Sequence, residues 1–269
     1  MHTLITHHRP HLDDVAAMWL LERFLPECKD AQHKFVSASE REPEGAVTDR
    51  TWVGVGRGRF DEHKGDIGEC AATLVFAHVR GRADLDEDTL RALERIVHWV
   101  LLEDTGKLIN VEQRFFTLPV MLRGEFERTG EDSASLVDFG YRCLDALLVA
   151  HRSITALEED WDGRQEFESH FGPAVAVVTE SQHYLDTYAY ERGFRVLVQL
   201  SPDGTYRTIR VPAETDIDLR PVYDALMELE PDAGWYYHHS GKLIIIGGDL
   251  APDTVRSEVP LEKIIELLQ

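Results

Sequence analysis

The strongest constraint on the fold is a short apolar segment at the start of the chain that runs directly into a polar loop. Residues 3–6 have the apolar character of a buried strand, residues 7–14 are polar, and residues 15–25 carry apolar side chains at helical spacing. A strand, a loop and a helix in this order are typical of α/β proteins, whose sites lie at the carboxyl edge of a parallel sheet. We therefore expect the loop to contribute to a functional site.

Further periodic segments divide the chain into two parts. In the first part, strands are predicted at 34–38 and 51–55, and helices at 86–102 and 133–159. After Asp162 and Gly163, strands are predicted at 174–178, 194–200, 206–211, 235–238 and 243–246, and helices at 219–229 and 261–268. We predict an α/β fold, in which residues 1–165 form a parallel sheet flanked by helices and residues 166–269 a smaller mixed α+β domain.

Composition limits the partners of the protein. Of the 269 residues, 43% are hydrophobic and 29% are charged, which fits a globular chain and excludes long disordered or membrane-spanning segments. The net charge of -21, from 49 acids and 28 bases, disfavours binding of long duplex DNA. Small phosphates and short oligonucleotides remain open as ligands, because a divalent metal can supply positive charge. An adaptation to salt or solubility is the alternative explanation of the acidity.

The cysteines and the N-terminus bear on location. Cys28, Cys70 and Cys143 form no CxxC pair and are odd in number, which argues against a zinc ribbon or a disulfide framework. The first residues, MHTLITHHRPHLDD, lack the basic and apolar regions of a secretory signal. We expect a cytoplasmic protein with no membrane partner, and a homo-oligomer is left open.

The polar loop carries a candidate metal site. His7, His11 and Asp13 are spaced i, i+4 and i+6, and two imidazoles with a carboxylate suit a divalent ion such as manganese or zinc. The alternative is an exposed polar loop without a ligand. Asp14 is explained as an acid at a helix N-terminus, where the dipole favours it, so the metal hypothesis does not need it as a ligand.

Two other segments carry clustered acids. Asp61-Glu62-His63 follows an apolar strand and a glycine-rich turn, and three adjacent ionisable residues there either face solvent or share a site. Asp104-Thr105-Gly106 follows an apolar run, and its glycine is equally compatible with the C-terminal turn of a helix.

Taken together, the three segments resemble motifs of the DHH phosphoesterase superfamily. THHRPHLDDVAA, residues 6–17, is similar to the first motif and most like that of the nanoRNases. Asp61-Glu62-His63 resembles the name-giving Asp-His-His motif, and LLEDTG, residues 101–106, resembles the fourth motif. Residues 58–64, with AATLV at 71–75, are similar to the Myg-type branch.

The resemblance implies a ligand set and a mechanism. The implied ligands of a divalent metal, manganese with magnesium or zinc as alternatives, are His7, His11, Asp13, Glu62 and Asp104. Asp61 and His63 would be catalytic: Asp61 would orient neighbouring ligands, and His63 would contact the substrate phosphate or assist proton transfer.

The chain departs from the family pattern at three positions. His11 replaces an Asp, and Glu62 replaces the first His of the name-giving motif. Gly54 stands where the second motif supplies an Asp that bridges two metals, and the nearby Asp49 lies on the wrong side of the strand.

By this resemblance the protein is expected to be an enzyme that hydrolyses phosphoester or phosphoanhydride bonds in small nucleotide-like or short oligonucleotide substrates. His238, His239 and Lys242 of the second domain are expected to bind the anionic substrate across an interdomain cleft; a hairpin with exposed aromatic residues is the alternative. A degenerate protein that binds a nucleotide or a protein partner without hydrolysis is the second hypothesis. A zinc-dependent acyl or peptide hydrolase is the third.

Overall fold

The computed structural model describes residues 1–45, 48–65, 68–107, 114–181, 184–248 and 251–269. The chain divides into two compact units, Met1–Arg152 and Ser153–Gln269. The division falls inside a long helix that ends at Asp162, whereas the sequence pattern changes near residue 165, where the next strand begins. None of the helices among the described residues combines the length and apolar character needed to cross a lipid bilayer.

The first unit is built on a small parallel sheet. Its described strands and helices are β1 (Thr3–His7), α1 (Leu12–Phe24), β2 (Gln32–Val36), β3 (Arg50–Trp52), α2 (Ala71–Arg80), α3 (Glu87–Asp104), α4 (Leu118–Arg128) and the start of α5 (Ser133–Asp162). The strand order is β2-β1-β3, and Thr3 pairs in parallel with both Gln32 and Arg50. The loop after the central strand β1 therefore lies at the carboxyl edge of the sheet, where α/β sites form.

Helix α1 is the centre of the core of the first unit. Its first ten residues, from Leu12 to Leu21, are all buried, and Trp19 is fully buried. A helix that is buried on every side must be surrounded by other elements, and α1 shares its core cluster with residues of β1, α2, α3, α4 and α5. This packing fixes the N-terminus of α1, and hence the polar loop, against the sheet edge.

The second unit is a mixed sheet covered on both faces. Its strands and helices are the end of α5, β4 (Gln165–Ser169), β5 (Gly172–Val178), α6 (Leu185–Glu191), β6 (Val196–Leu200), β7 (Arg207–Arg210), α7 (Arg220–Leu229), β8 (Tyr236–Tyr237), β9 (Leu243–Ile246) and α8 (Leu261–Leu268). The order is β4-β5-β6-β7-β9-β8, and among these described strands only β5 and β6 pair in parallel. Alternate residues of β5 join two separate apolar clusters, so the strand is apolar throughout. The predicted α/β class with a mixed second part is confirmed.

Several elements were not predicted from the sequence. Helix α2 begins with AATLV, whose β-branched residues favour a strand as readily as a helix, and α4 contains Pro119 and Gly124. The predicted strand 51–55 is shorter in the structure, because Gly54 takes a left-handed φ of 62°. β4 has the polar sequence QEFES, and α6 spans only seven residues, so neither shows a clear apolar period.

The contact between α1 and α5 requires a glycine at position 140. A Cβ at Gly140 would lie 2.5 Å from Val15 Cγ1 and 3.2 Å from Leu122 Cδ2. We expect Gly140→Ala to lower the free energy of unfolding by about 1–3 kcal/mol, since overpacking outweighs the gain in helix propensity. Gly124→Ala in α4 is the matched control: its Cβ meets nothing within 4 Å, and a gain of about 0.5–1 kcal/mol is expected. Urea denaturation measures both, and equal effects would show that the helices do not meet at Gly140.

Candidate metal centre

The loop between β1 and α1 brings two histidines to one carboxylate. β1 ends at His7, and His11 is the residue before the first turn of α1. Asp14, in that first turn, accepts hydrogen bonds through Oδ2 from His11 N at 2.9 Å and from His7 Nε2 at 2.9 Å. The rings of His7 and His11 lie edge to face with centroids 5.2 Å apart. Asp14 thus does more than complement the helix dipole.

The hydrogen bonds of His7 define its protonation in the metal-free protein. Nδ1 donates to the His8 carbonyl at 2.8 Å. The hydrogen bond to Asp14 raises the pKa of His7 to about 9, although burial opposes the shift. Both ring nitrogens therefore carry protons at neutral pH. With Nδ1 held by a carbonyl, Nε2 is the nitrogen that can exchange its proton for a metal.

Carboxylates are crowded around these histidines. Burial raises the pKa of Asp13 well above its ordinary value, and the negative charges of Asp14, Asp104 and Glu62 raise it further. Burial also raises the pKa of Glu62 and of Asp104, and in both cases the Asp14 carboxylate contributes. Like charges that lie close together oppose one another's ionisation, and a bound cation stabilises such an environment.

The segment that follows β3 adds a second group of donors. The buried Asp61 accepts from Arg57 N at 2.5 Å, from His63 N at 3.0 Å and from His63 Nδ1 at 2.9 Å. Burial opposes ionisation of Asp61, but these hydrogen bonds outweigh it and lower its pKa. Glu62 Oε1 lies 3.1 Å from His63 Nδ1, while the buried Oε2 has no hydrogen-bond partner among the described residues.

Asp104 is the last residue of α3. Gly106, with a φ of 67°, ends the helix, and Lys107 N donates to Leu102 O at 2.8 Å. The DTG sequence is therefore a helix C-terminal turn of the kind that glycine favours. The same turn leaves Asp104 beside the polar loop, where its electrostatic neighbours are Asp14 and His11.

One cavity of about 740 Å³ is lined by all three segments. Its lining includes His7, His11, Asp13, Asp14, Gly54, Asp61, Glu62, His63 and Asp104, together with Arg41 and Arg57. A second cavity of about 410 Å³ shares four of these residues, His7, His11, Asp13 and Asp104, and adds Arg9 and Arg123. The sequence-predicted residues of the first unit are thus brought together, while their roles as ligands remain predictions.

Two sets of donor atoms within 4.8 Å of one another occur in the described part of the chain: His7, His11 and Asp14, and Asp61, Glu62 and His63. Asp14 was missed as a candidate ligand because the helix dipole already explained it. Two features of the sequence indicate the position of Asp14. It follows His11 by three residues, a spacing typical of a helix capping pair, and residue 54 is a glycine.

The residues predicted in the second unit lie at the turn between β8 and β9. Lys242 Nζ donates to Thr215 O at 2.6 Å and also to Ile217 O. His238 Nδ1 lies 2.7 Å from Ser240 Oγ, and the rings of His238 and His239 have centroids 4.1 Å apart. The Lys242 ammonium therefore holds a neighbouring loop through backbone carbonyls.

The fold and the site define a class of protein, an α/β protein with a histidine and carboxylate cluster at the edge of a parallel sheet. The chain belongs to the family described as ChrB, C-terminal domain, whose model matches residues 4–151. The matched range is nearly the same as the first unit, Met1–Arg152. No curated protein matches the chain.

Solved structures with similarity to this chain include a DHH domain and RecJ. The DHH domain of a member of the s1p family of ribosomal proteins is 13% identical, with a TM-score of 0.34, over 99% of this chain and 85% of that chain. RecJ from Thermus thermophilus, solved in complex with Mg2+, is 15% identical, with a TM-score of 0.32, over 99% of this chain and 54% of that chain.

An uncharacterized protein from Helicobacter pylori G27 is 10% identical, with a TM-score of 0.27, over 99% of this chain and 97% of that chain. All three TM-scores are below 0.5. The resemblance to the DHH superfamily therefore continues to depend on the sequence motifs.

Proposed function

We propose that this protein is a divalent-metal-dependent hydrolase of phosphoester or phosphoanhydride bonds. The observation that carries the proposal is the cavity of about 740 Å³, whose lining includes His7, His11 and carboxylates from three separate segments. Carboxylates that raise one another's pKa are costly to keep together unless a cation is bound. We propose the first unit as the catalytic domain and the second as the domain that binds substrate.

The donor set fits a divalent metal. Imidazole nitrogen mixed with carboxylate oxygen suits manganese or zinc, and the oxygen of Glu62 extends the choice to magnesium. The buried, unpartnered Oε2 of Glu62 is an acceptor for which a cation is a suitable partner. When bound, such a metal lowers the pKa of a coordinated water to about 7 and neutralises charge on phosphoryl oxygens.

The remaining side chains have roles that do not depend on metal geometry. Asp61 stays ionised and holds the ring of His63 by a 2.9 Å hydrogen bond. The side chain of His63 is 69% exposed, so it can donate to a substrate phosphate or transfer a proton at Nε2.

Arginines in the cavity linings support the proposal of an anionic substrate. The chain has a net charge of -21, yet Arg9 and Arg123 line one cavity and Arg41 and Arg57 line the other. Arg9 and Arg57 also adopt positive φ angles of 52° and 58°, which a bulky residue rarely adopts. Local strain of this kind is often kept at binding sites. A small phosphate-containing substrate or a short oligonucleotide is the partner that we propose.

In the second unit, we propose that His238 and His239 contribute to anion binding. Their rings are adjacent, and neither is tied to a backbone carbonyl in the way that Lys242 is. Lys242 keeps a supporting role in this proposal.

A second candidate function is binding of a nucleotide or protein partner without hydrolysis. It is favoured by Gly54, because the motif that it resembles carries a metal-bridging Asp at this place. The two functions differ in whether bound metal leads to turnover.

The test begins with metal-stripped protein, which is loaded with manganese and assayed for metal content and for hydrolysis of bis(p-nitrophenyl) phosphate. Stoichiometric manganese with turnover that chelation removes is the expected result. Metal-free protein that binds a nucleotide tightly supports the second candidate instead. Hydrolysis of p-nitrophenyl acetate with an inert phosphodiester would support an acyl or peptide hydrolase and contradict the proposal.

A further inference from the structure

The space beside Gly54 is already filled by a carboxylate. An ideal Cβ on Gly54 would lie 1.6 Å from Asp14 Oδ1 and 2.8 Å from Asp14 Cγ. No side chain at position 54 can therefore coexist with Asp14 in its present place. The two positions compete for one volume, and in this chain Asp14 occupies it.

Asp14 is held in that volume by specific contacts. Its side chain is only 3% exposed, and Oδ2 is fixed by the bonds to His7 Nε2 and His11 N. Oδ1 is the oxygen directed at Gly54. The first turn of α1 thus places the buried Asp14 carboxylate near the end of β3, in the volume that a side chain at residue 54 would occupy.

The contacts of Asp14 also match those of a ligand. His7 Nε2 and Asp14 Oδ2 are 2.9 Å apart, and two donors at this distance can both reach one cation through bonds of roughly 2.0–2.2 Å. Asp14 groups with His7 and His11 as possible metal ligands. It also acts electrostatically on Glu62 and Asp104, which come from the other two segments of the cavity lining.

We propose that Asp14 is a metal ligand that takes the place of the Asp missing at position 54, and that position 54 must be glycine to make room for it. The proposal rests on the proposed function only in assuming that the cavity binds a divalent metal. The absence of an Asp at position 54 was the main reason for regarding the site as degenerate, and a ligating Asp14 removes that reason. A role of Asp14 confined to capping α1 is the alternative.

The test measures manganese binding to metal-stripped protein by isothermal titration calorimetry. Asp14→Asn keeps an acceptor for His11 N but loses the charge, and its manganese affinity is expected to fall by at least about 100-fold. Asp86→Asn is the matched control, because Asp86 caps α3 by accepting from Thr89 N at 2.7 Å and lies outside the donor groups. Its affinity is expected to equal that of the wild type.

A second variant, Gly54→Ala, tests the volume beside residue 54 without changing Asp14. Gly54→Ala places a Cβ on the position of Asp14 Oδ1, so manganese affinity is expected to fall by about 10-fold or more. Gly130→Ala controls for backbone strain, since Gly130 has a similar φ of 75° and nothing within 4 Å of its Cβ. If Asp14→Asn does not fold, the difference between these two glycine variants decides the question.

The outcomes separate this inference from the proposed function. Wild-type affinity in Asp14→Asn, or in Gly54→Ala, overturns the inference and leaves the hydrolase proposal intact. Wild-type protein that binds manganese through Asp14 but hydrolyses no phosphodiester overturns the proposed function alone. Wild-type protein that binds none of manganese, zinc and magnesium overturns both.

Discussion

Replacing His11 with alanine is expected to lower kcat/KM for manganese-dependent phosphodiester hydrolysis at least about 1000-fold, equivalent to roughly 4 kcal/mol of transition-state stabilisation. His11 lines both cavities, and its ring is exposed beside that of His7. Its backbone N–H, which donates to Asp14, is kept in the variant. The loss should therefore arise from the missing imidazole and not from unfolding of α1.

The measurement is steady-state kinetics with saturating manganese, together with metal content and far-ultraviolet circular dichroism. His98→Ala is the control, because His98 is an exposed histidine on α3 that lies outside the donor groups. It should retain the wild-type rate and metal content. If His11→Ala keeps both turnover and stoichiometric manganese, His11 is not a metal ligand.

The second large effect is expected at Trp19. This residue is fully buried at the centre of α1, packs edge to face on Phe24 and donates from Nε1 to Asp145 Oδ1 at 2.8 Å. Trp19→Ala removes the largest fully buried side chain among the described residues. The free energy of unfolding is expected to fall by about 3–5 kcal/mol, because the cavity adds to the lost burial.

Trp19→Phe separates packing from the hydrogen bond. Asp145 also accepts two bonds from Arg23, at 3.0 and 2.9 Å, so its carboxylate keeps partners when the indole is lost. A smaller decrease of about 1–2 kcal/mol is expected for this variant. Urea denaturation followed by circular dichroism measures both. A loss below about 1 kcal/mol in Trp19→Ala would contradict the central position of α1 in the core.

Part of the fold follows directly from local sequence pattern. β1 and α1 were predicted because an apolar run and a helical period are separated by an uninterrupted polar loop. The hairpin of β6 and β7 was predicted from the turn at Pro202 and Asp203, and Ser201 N donates to Tyr206 O where the two strands meet. In each of these cases the signal lies within one element and its flanking turn.

Other elements depend on contacts that a local pattern does not contain. Helix α2 is stabilised by burial of Ala71, Ala72 and Val75 in the core of the first unit, and its strand-like composition is overridden by that packing. The contacts of Lys242 also depend on residues that are distant in sequence, and its expected role as a phosphate partner stays a prediction. Its ammonium is used by two carbonyls of a loop some 25 residues away in sequence.

The sequence by itself determined the chemistry available to this protein: imidazoles and carboxylates in three short polar segments, each next to an apolar element. Only the tertiary structure decided which of them meet. Burial of α1 beside the parallel sheet places Asp14 in the volume that Gly54 leaves open, and that choice depends on steric exclusion between residues 40 positions apart. A local sequence pattern contains information only about residues a few positions apart. The steric exclusion between Asp14 and a side chain at position 54 arises only when the core has packed.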